Sequence, residues 1–414
     1  MASNLVSLGS LCSFENGDRG SNYPKECDYI DIGIPFISGS ALNDGEIVRT
    51  GLKYISKEKF ASLRAGKAHK GDILFSLRGS LGKCVISPFD ESAIASALVI
   101  IRPNNNIDRD YLYFALNSPY FMRQCSNYDN GSIQANLSVE AIKTFDIPLP
   151  SFSIQRKIAK ILKHINNKIE NNNAISAQLE SLAKTIYDYW FLQFEFPNKD
   201  GKPYKSSGGK MVWNEELKRE IPEGWEVNEL CKVFDITMGS SPKGESLNEN
   251  HEGIEFYQGS TDFGDLYPIQ RVYTTAPVRL AKAQDILISV RAPVGDMNIA
   301  MNDCCIGRGL AAVHYRSSLY TWNTLLTLKP YFDILNGAGT TFGALTSDGL
   351  KQQRIVKPSN NIIEKYISRI SKIELKLRTI TIENQQLTSL RDFLLPLLMN
   401  GQVTFKDGAV SEEK

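Results

Sequence analysis

The chain has 414 residues, of which 42% are hydrophobic and 22% are charged, and its formal net charge is +1. This length predicts about two to four domains, and the composition is typical of a soluble globular protein. No apolar run reaches the length of about 18 residues that a membrane helix needs, and the N-terminus lacks the pattern of a signal peptide, so we expect a cytoplasmic protein. A charge near zero does not indicate a nucleic-acid binder, so any DNA-contacting surface must be local or shared with a second protein.

Residues 1 to 150 alternate short β-type runs with loops rich in Asn, Asp and Gly. One helix is predicted at 108 to 125, and Ser138 is predicted to cap a short helix ahead of a strand that contains proline. Together these features predict a compact α+β domain. The β-type runs are GIPFISGS at 33 to 40, GDILFSLRGSLGKCVIS at 71 to 87, and ASALVIIRP at 95 to 103.

A long helix is predicted over residues 151 to 192, where apolar residues alternate in steps of three and four. Its segment LESLAKTIYDYWF, from 179, has a counterpart LTSLRDFLLPLLM, from 387, in a second long helix at 359 to 401 that Pro396 should interrupt near its end. Each helix of about 40 residues would span roughly 60 Å. We predict that the two pair as a coiled coil with a seam of apolar residues. The predicted seam contains Ile158, Ile165, Leu179, Leu182, Ile186, Tyr366, Ile373, Leu387, Leu390 and Leu394.

A group of asparagines breaks this seam at its middle. Buried asparagines can fix the register of a helix pair, but asparagines can equally form a solvated face, and the sequence favours neither interpretation. The group is Asn166, Asn167, Asn171, Asn172 and Asn173.

Residues 193 to 225 are rich in Gly, Ser, Pro and Lys, which predicts an exposed connector that does not pack well. Residues 226 to 358 then repeat the first domain loosely, and residues 402 to 414 form a C-terminal tail. Matching strands with unmatched loops between them indicate two domains of one fold that recognise different things. The mirrored segments are GIEFYQGS from 253, QDILISVRAPVG from 284, and TTFGALTSDGLK from 340.

No catalytic or metal site is predicted. The chain has no Asn-Pro-Pro-aromatic tetrapeptide of amino-methyltransferases, no Walker lysine and no Ser/His/Asp set, and GAGTTFG does not continue into Lys-Ser/Thr as a phosphate loop would. His164 and His314 are interpreted as structural. Seven cysteines without a Cys-x-x-Cys pair are interpreted as packed or surface thiols, although the adjacent Cys304 and Cys305 could also form a redox switch.

The remaining possibility is binding. Arg78 follows one predicted strand and Arg291 follows its mirror, each with a glycine nearby, and a guanidinium forms paired hydrogen bonds to phosphates and base edges. The alternative is a β-turn whose arginine forms an ion pair with Asp72 or Asp285. Loop hydroxyls and amides can likewise pair with base edges. The candidate DNA-contacting residues are Arg19, Arg78, Ser80, Lys83, Ser132, Gln134 and Asn136 in the first domain, and Lys243, Gln258, Arg291, Arg308 and Thr341 in the second.

The order of these parts resembles the DNA-specificity subunit of Type I restriction-modification systems, over essentially the whole chain. The resemblance is carried by the doubled strands GDILFSLRG and QDILISVRA, by NGSIQANLS leading into DIPLPSFSIQRKIAKIL, and by the connector FPNKDGKPYKSSGGKMVW. LESLAKTIYDYWF and its copy LTSLRDFLLPLLMNGQV complete the match. The second half departs from the pattern, with IVKPSNNIIEKYIS where the first has DIPLPSFSIQRKIA.

This resemblance implies an α+β protein with two globular target recognition domains, separated by two long antiparallel helices that form a coiled coil with an internal pseudo-twofold repeat. Each domain would read one half of a bipartite, asymmetric DNA target, and the helices would set the spacer. The subunit would have no catalytic activity and no cofactor. Its expected partners are double-stranded DNA, two adenine-methyltransferase subunits that use S-adenosylmethionine, and restriction subunits that use ATP. The competing hypothesis is a structural adaptor that binds proteins and never touches DNA.

Overall fold

The computed structural model describes residues 4–43, 45–79, 81–128, 137–337 and 344–403. The chain divides into two compact units. Unit 1 comprises Met1–Asn171 and Asn384–Lys414, and unit 2 comprises Asn172–Glu383. Each unit therefore contains one globular domain and one part of each long helix.

A four-stranded antiparallel sheet and a five-stranded mixed sheet form the domain of unit 1. The interior strand Ile73–Ser76 of the four-stranded sheet has both faces buried. Ile73 and Phe75 belong to the core cluster on one side, and Leu74 belongs to the cluster on the other. The four-stranded sheet has the spatial order Cys84–Ile86, Ile73–Ser76, Leu98–Pro103 and Cys12–Asn16. The five-stranded sheet has the order Tyr29–Ile30, Lys53–Ile55, Ile34–Ile37, Glu91–Ile94 and Lys67–His69. Two-strand pairs are formed by Asn4–Ser7 with Asp146–Leu149, and by Leu42–Asn43 with Glu46–Ile47.

Unit 2 repeats the strand order of both sheets and the pairing of the first strand with the last, but the two-strand hairpins of the two units do not correspond. Its four-stranded sheet has the order Met297–Ile299, Ile286–Ser289, Leu310–His314 and Asp235–Met238. Its five-stranded sheet has the order Leu247–Asn248, Tyr273–Thr274, Ile254–Tyr257, Cys304–Ile306 and Leu280–Ala281. Two-strand pairs are formed by Glu226–Glu229 with Arg354–Lys357, and by Met211–Asn214 with Arg219–Pro222.

The prediction of a single helix at 108 to 125 is wrong. The structure has two helices, Arg109–Leu116 and Pro119–Tyr128. The break falls before Pro119, since a proline disfavours the helical conformation of the preceding residue. Ser138 caps the next helix as predicted, accepting a hydrogen bond of 3.1 Å from the backbone N–H of Ala141. The remaining helices are Leu8–Leu11, Lys57–Ser62 and Val139–Lys143 in unit 1, and Ser318–Leu326, Lys329–Gly337 and Ser347–Lys351 in unit 2.

The first long helix is Phe152–Tyr187, extended by a π-helical turn at Asp188–Leu192. The second is Asn360–Met399 and runs through Pro396, so the predicted interruption does not occur. Pro396 removes only one backbone donor, and the last turn is held by the burial of Leu398 and Met399 in the core of unit 1.

The segment 193 to 225, predicted to be a poorly packed connector, is part of the core of unit 2. Phe196 stacks on Trp225, with ring centroids 4.9 Å apart, and on Tyr204, at 4.6 Å. Phe194 and Ile221 are buried beside them. Aromatic burial outweighs the flexible composition of this segment, because each large ring removes a large apolar area from water.

The predicted fold class is confirmed, since two α+β domains of one topology are each followed by a long helix. Both Cys304 and Cys305 are buried in a central strand, and burial raises the pKa of the Cys304 thiol, which keeps it in its unreactive protonated form. Within the described ranges, no helix is both long enough and apolar enough to span a bilayer.

Candidate nucleic-acid interface

In unit 1, two exposed arginines follow the C-terminal ends of two strands of the four-stranded sheet. The turn that carries Arg78 is closed by the Ser76 hydroxyl, which donates to the Arg78 carbonyl at 3.0 Å. Arg19 follows the edge strand Cys12–Asn16, which pairs with the other side of strand Leu98–Pro103, and donates through Nη2 to the Ser96 carbonyl at 3.4 Å. Both arginines line a pocket of about 270 Å³. The structure thus brings together two of the predicted residues, and Arg19, Arg78 and Ser96 are termed the strand-end surface of unit 1.

Asp18 fixes the loop of Arg19. Its carboxylate accepts hydrogen bonds from the backbone N–H groups of Gly20, at 2.8 Å, and Arg64, at 2.9 Å. These bonds lower the pKa of Asp18. The anchored backbone presents the neighbouring arginine toward solvent.

Unit 2 has an equivalent surface at the ends of the corresponding strands. The Ser289 hydroxyl donates to the Arg291 carbonyl at 2.7 Å, which reproduces the turn at Arg78. Arg308 lies beside it, because the backbone N–H of Val290 donates to the Gly309 carbonyl at 2.9 Å. Ser241, Arg291 and Arg308 form the strand-end surface of unit 2, and both arginines are exposed.

Gln258 adjoins this surface. Its Oε1 accepts a hydrogen bond of 2.9 Å from the hydroxyl of Ser241, and its carbonyl accepts one of 3.1 Å from the N–H of Gly309. An exposed amide on the same surface as two exposed arginines gives donors and acceptors of the kind that read base edges. Sequence reasoning missed Ser96 and Ser241, and aligning the strand ends of the two domains was the signal that could have found them.

The other predicted contacts lie elsewhere or outside the described residues. The Lys83 ammonium is held by the carbonyl of Leu42, at 3.1 Å, and by Oδ1 of Asn43, at 3.3 Å, so it stabilises a hairpin. Lys243 is exposed and lies 3.8 Å from Glu245. Ser80, Ser132, Gln134, Asn136 and Thr341 lie outside the described residues.

The carboxylates proposed as alternative partners of the strand-end arginines bind other side chains. Asp72 forms a salt bridge of 2.7 Å with Arg102, which also binds Glu15 at 2.6 Å. Asp285 lies 2.5 Å from Nδ1 of His314. These pairs hold neighbouring strands together.

The helix pair buries a face that differs in part from the predicted seam. Tyr366 donates to the carbonyl of Ala183 at 3.5 Å in unit 2, so the two helices contact within that unit. Leu182 and Leu390 are 48% and 46% exposed and lie outside the buried face. A strict seven-residue pattern drifts around a helix with 3.6 residues per turn, so that Ala183 is buried in place of Leu182. Of the other predicted positions, Ile158, Ile165 and Tyr366 are buried, and Leu179, Ile186, Ile373, Leu387 and Leu394 are half-buried.

The five asparagines differ in burial. Asn172 is only 2% exposed and donates to Glu383 at 2.8 Å. Asn166 is half-buried, and its Oδ1 accepts a hydrogen bond of 3.5 Å from Arg391. Asn167, Asn171 and Asn173 are exposed. A buried polar pair between two helices is satisfied in only one alignment, so Asn172 serves the register while the exposed three form a solvated face.

Among the residues that the structure describes, no group of three or more His, Cys, Asp or Glu side chains is placed to hold a metal ion. The chemistry of the strand-end surfaces is that of hydrogen-bond donation to an anionic or polar ligand.

Two segments, residues 3–181 and 222–390, match the family model of the Type I restriction modification DNA specificity domain. The chain belongs to this family. Each matched segment contains one globular domain and much of the long helix after it, so the specificity domain is present in two copies. Membership in this family confirms the prediction of a DNA-recognition subunit without catalysis, and it does not support the adaptor hypothesis.

Named relatives agree with this membership. A protein of Methanocaldococcus jannaschii assigned as the type I restriction enzyme MjaX specificity subunit is 32% identical over 394 residues, covering 91% of this chain and 88% of its own. The HindI specificity subunit of Haemophilus influenzae is 22% identical, covering 87% of this chain and 94% of its own. The crystal structure of a Type I restriction-modification S subunit from M. genitalium shares the fold, with a TM-score of 0.59 at 16% identity and 96% coverage of both chains.

Proposed function

We propose that this specificity subunit reads a bipartite, asymmetric DNA target, with each domain contacting one half-site through its strand-end surface. The observation that carries the proposal is the duplication of an exposed arginine turn, at Arg78 and Arg291, on two copies of one sheet. Arginine is the side chain best suited to paired hydrogen bonds with guanine or phosphate. The surfaces also differ, since Gln258 has no identical counterpart in unit 1, which supports different half-sites.

The long helices are proposed to set the number of unspecified base pairs between the half-sites and to bind two methyltransferase subunits. A stripe of apolar residues spaced by seven, interrupted once by Lys168, lies outside the buried face of the first long helix. In unit 1 it contains Ile154 and Ile161, and in unit 2 it contains Ile175, Leu182 and Tyr189, all of them exposed by at least a third. Such a stripe is suited to packing against a helix of another protein.

In this proposal no cofactor binds the chain itself. S-adenosylmethionine would be bound by the methyltransferase subunits and ATP by restriction subunits, and the assembly would act in the cytoplasm. The near-neutral charge of the chain supports a phosphate contact that is shared with those partners.

Mapping of N6-methyladenine in a host that carries this subunit and its methyltransferase tests the DNA role. We expect one motif with two different half-sites and a constant spacer. A palindromic motif would contradict the asymmetry, and a methylation pattern independent of this chain would contradict recognition. Gel-shift assays should show weak binding by the chain alone and stronger, salt-sensitive binding by the complex.

Leu182→Asp tests the methyltransferase-binding stripe. A charge in an apolar helix interface is costly to desolvate, so we expect the variant to lose co-purification with the methyltransferase while remaining folded. Asn167→Asp, an exposed change on the same helix, is the matched control and should leave the complex intact. Equal recovery of the complex with both variants would exclude the stripe as the binding surface.

A further inference from the structure

The two strand-end surfaces are equivalent residue by residue, as their backbone hydrogen bonds show. In unit 1 the N–H of Leu77 donates to the Ala97 carbonyl at 2.9 Å, and in unit 2 the N–H of Val290 donates to the Gly309 carbonyl at 2.9 Å. The residues immediately before Ala97 and Gly309 therefore occupy equivalent places at the ends of the strands. They are Ser96 in unit 1 and Arg308 in unit 2.

A second equivalence comes from the edge strand. The N–H of Gly17 donates to the Leu98 carbonyl at 3.4 Å, and the N–H of Gly239 donates to the Leu310 carbonyl at 2.9 Å. Leu98 pairs with Ser76 as Leu310 pairs with Ser289, so the strands are in the same register. The residues two positions after these glycines are again equivalent. They are Arg19 in unit 1 and Ser241 in unit 2.

The two positions touch in both units, and their side chains are exchanged. Arg19 donates through its guanidinium to the Ser96 carbonyl at 3.4 Å in unit 1. In unit 2 the N–H of Arg308 donates to the hydroxyl of Ser241 at 3.2 Å. Each unit therefore has one arginine and one serine at this contact. In unit 1 the arginine lies after the edge strand Cys12–Asn16, and in unit 2 it lies before the interior strand Leu310–His314.

From this exchange we infer that Arg19 and Arg308 make the same DNA contact in their respective half-sites, although opposite loops supply them. The inference rests on the proposed function and assigns its specificity-determining residues. The side chain of arginine is long and flexible, so either of two touching backbone positions can bring a guanidinium to one acceptor on a base edge or a phosphate. The plane of the guanidinium group then approaches the DNA from a different side in each unit. Its paired hydrogen bonds therefore meet their acceptors at a different angle in each half-site.

Relocation of the arginine within each surface tests the inference. In unit 1 the variants are Arg19→Ser and the double variant Arg19→Ser with Ser96→Arg. In unit 2 they are Arg308→Ser and the double variant Arg308→Ser with Ser241→Arg. Each full chain, assembled with its methyltransferase subunits, is titrated with a duplex that contains the motif identified by methylation mapping.

We expect each single variant to weaken binding by about tenfold or more, and each relocated variant to recover binding to within about threefold of the original. Arg123→Ser removes one exposed positive charge from the helix Pro119–Tyr128 of unit 1, which contains no residue of the strand-end surface, and it is the matched control. Circular dichroism and thermal unfolding identify any variant that fails to fold. For such a variant, Arg19→Lys or Arg308→Lys replaces the serine change, because it keeps the charge and removes only the paired geometry.

Two readouts identify the contacted group, and either result supports the inference. A base contact relaxes the methylated motif at one position, whereas a phosphate contact weakens all sequences uniformly and lowers the slope of binding against salt by about one. The inference is overturned if the relocated variants bind as weakly as the single variants, or if the single variants bind normally. If the unaltered complex itself shows no preference for the motif, the proposed function fails instead.

Discussion

Asp18 connects the loop of Arg19 to the body of unit 1, and its ionisation should affect stability. Backbone N–H groups of Gly20 and Arg64 hold its pKa below the ordinary value of 3.8. A depressed pKa means that the stabilisation is fully present above pH 3.8 and is lost as the pH falls through the lower, folded-state pKa.

Replacing the charge should therefore have a pH-dependent effect. We expect Asp18→Asn to lower the free energy of unfolding by roughly 1 kcal/mol at pH 7, since hydrogen bonds to a charged acceptor are stronger than those to a neutral one. Urea unfolding of both proteins at pH 7 and at progressively lower pH measures this. The difference should shrink below pH 3.8, and a constant difference would show that the charge is not its source.

The buried pair of Asn172 and Glu383 allows a second test at the scale of single residues. Asn172→Asp would place two carboxylates at a contact that now measures 2.8 Å, where both cannot be ionised without strong repulsion. We expect a loss of at least about 1 kcal/mol in the free energy of unfolding at pH 7, and a smaller loss at pH 5, where the pair can retain a proton. Asn167→Asp, on the exposed face, should change stability by less than about 0.5 kcal/mol at either pH. An equal loss of the free energy of unfolding in the two variants would contradict a role of Asn172 in the register of the helices.

At this scale the sequence predicts some contacts and hides others. Arg78 and Arg291 are visible because they follow strands whose sequences repeat. The equivalence of Arg19 with Arg308 is hidden, since they align with serines rather than with each other. Only the backbone hydrogen bonds of the folded sheet bring these four positions together, and serines are too common in loops to stand out.

Among the elements, the segment 193 to 225 shows how composition can mislead. Its glycines, serines and lysines are typical of a flexible linker, but its aromatic residues are spaced so that Phe196 lies between Tyr204 and Trp225. Whether aromatic residues of a loop stack on each other depends on the path of the chain, which local composition does not contain. The long helices were predictable because their apolar spacing extends over many turns.

A pair of tryptophans in this segment gives a matched comparison. Trp225 is 8% exposed in the core of unit 2, whereas Trp213 is 54% exposed on the neighbouring hairpin. We expect Trp225→Ala to lower the free energy of unfolding by about 3–5 kcal/mol through lost burial and the cavity it leaves. Trp213→Ala should cost less than about 1 kcal/mol. Denaturant unfolding of both variants measures the two changes in the free energy of unfolding. Similarly small changes would mean that the segment behaves as the flexible linker its composition predicts.

For the whole molecule, the repeat of domain and helix was predictable and is confirmed by the two family segments, 3–181 and 222–390. The strands repeat because they must fill two equivalent cores, and core positions tolerate only apolar residues of similar size. The loops at the strand ends carry no such constraint and have diverged. One scaffold can therefore present Gln258 in one unit without an identical residue in the other, and can supply the arginine of the shared contact from different loops, which favours two different half-sites within one target.

The helix pair allows the spacer of the target to be changed without touching either strand-end surface. Inserting four residues into the first long helix within 165 to 175, with four more in the second helix beside Glu383, adds about 6 Å of helix and rotates the C-terminal part of each helix by only about 40°. The buried faces then stay nearly aligned, so we expect methylation mapping to show unchanged half-sites and a longer spacer, by roughly two base pairs at about 3.4 Å each. Inserting two residues in each helix is the matched control, because a rotation of about 200° turns the apolar faces outward and should unfold the pair. An unchanged spacer in the four-residue variant would show that the helices do not set the distance between the half-sites.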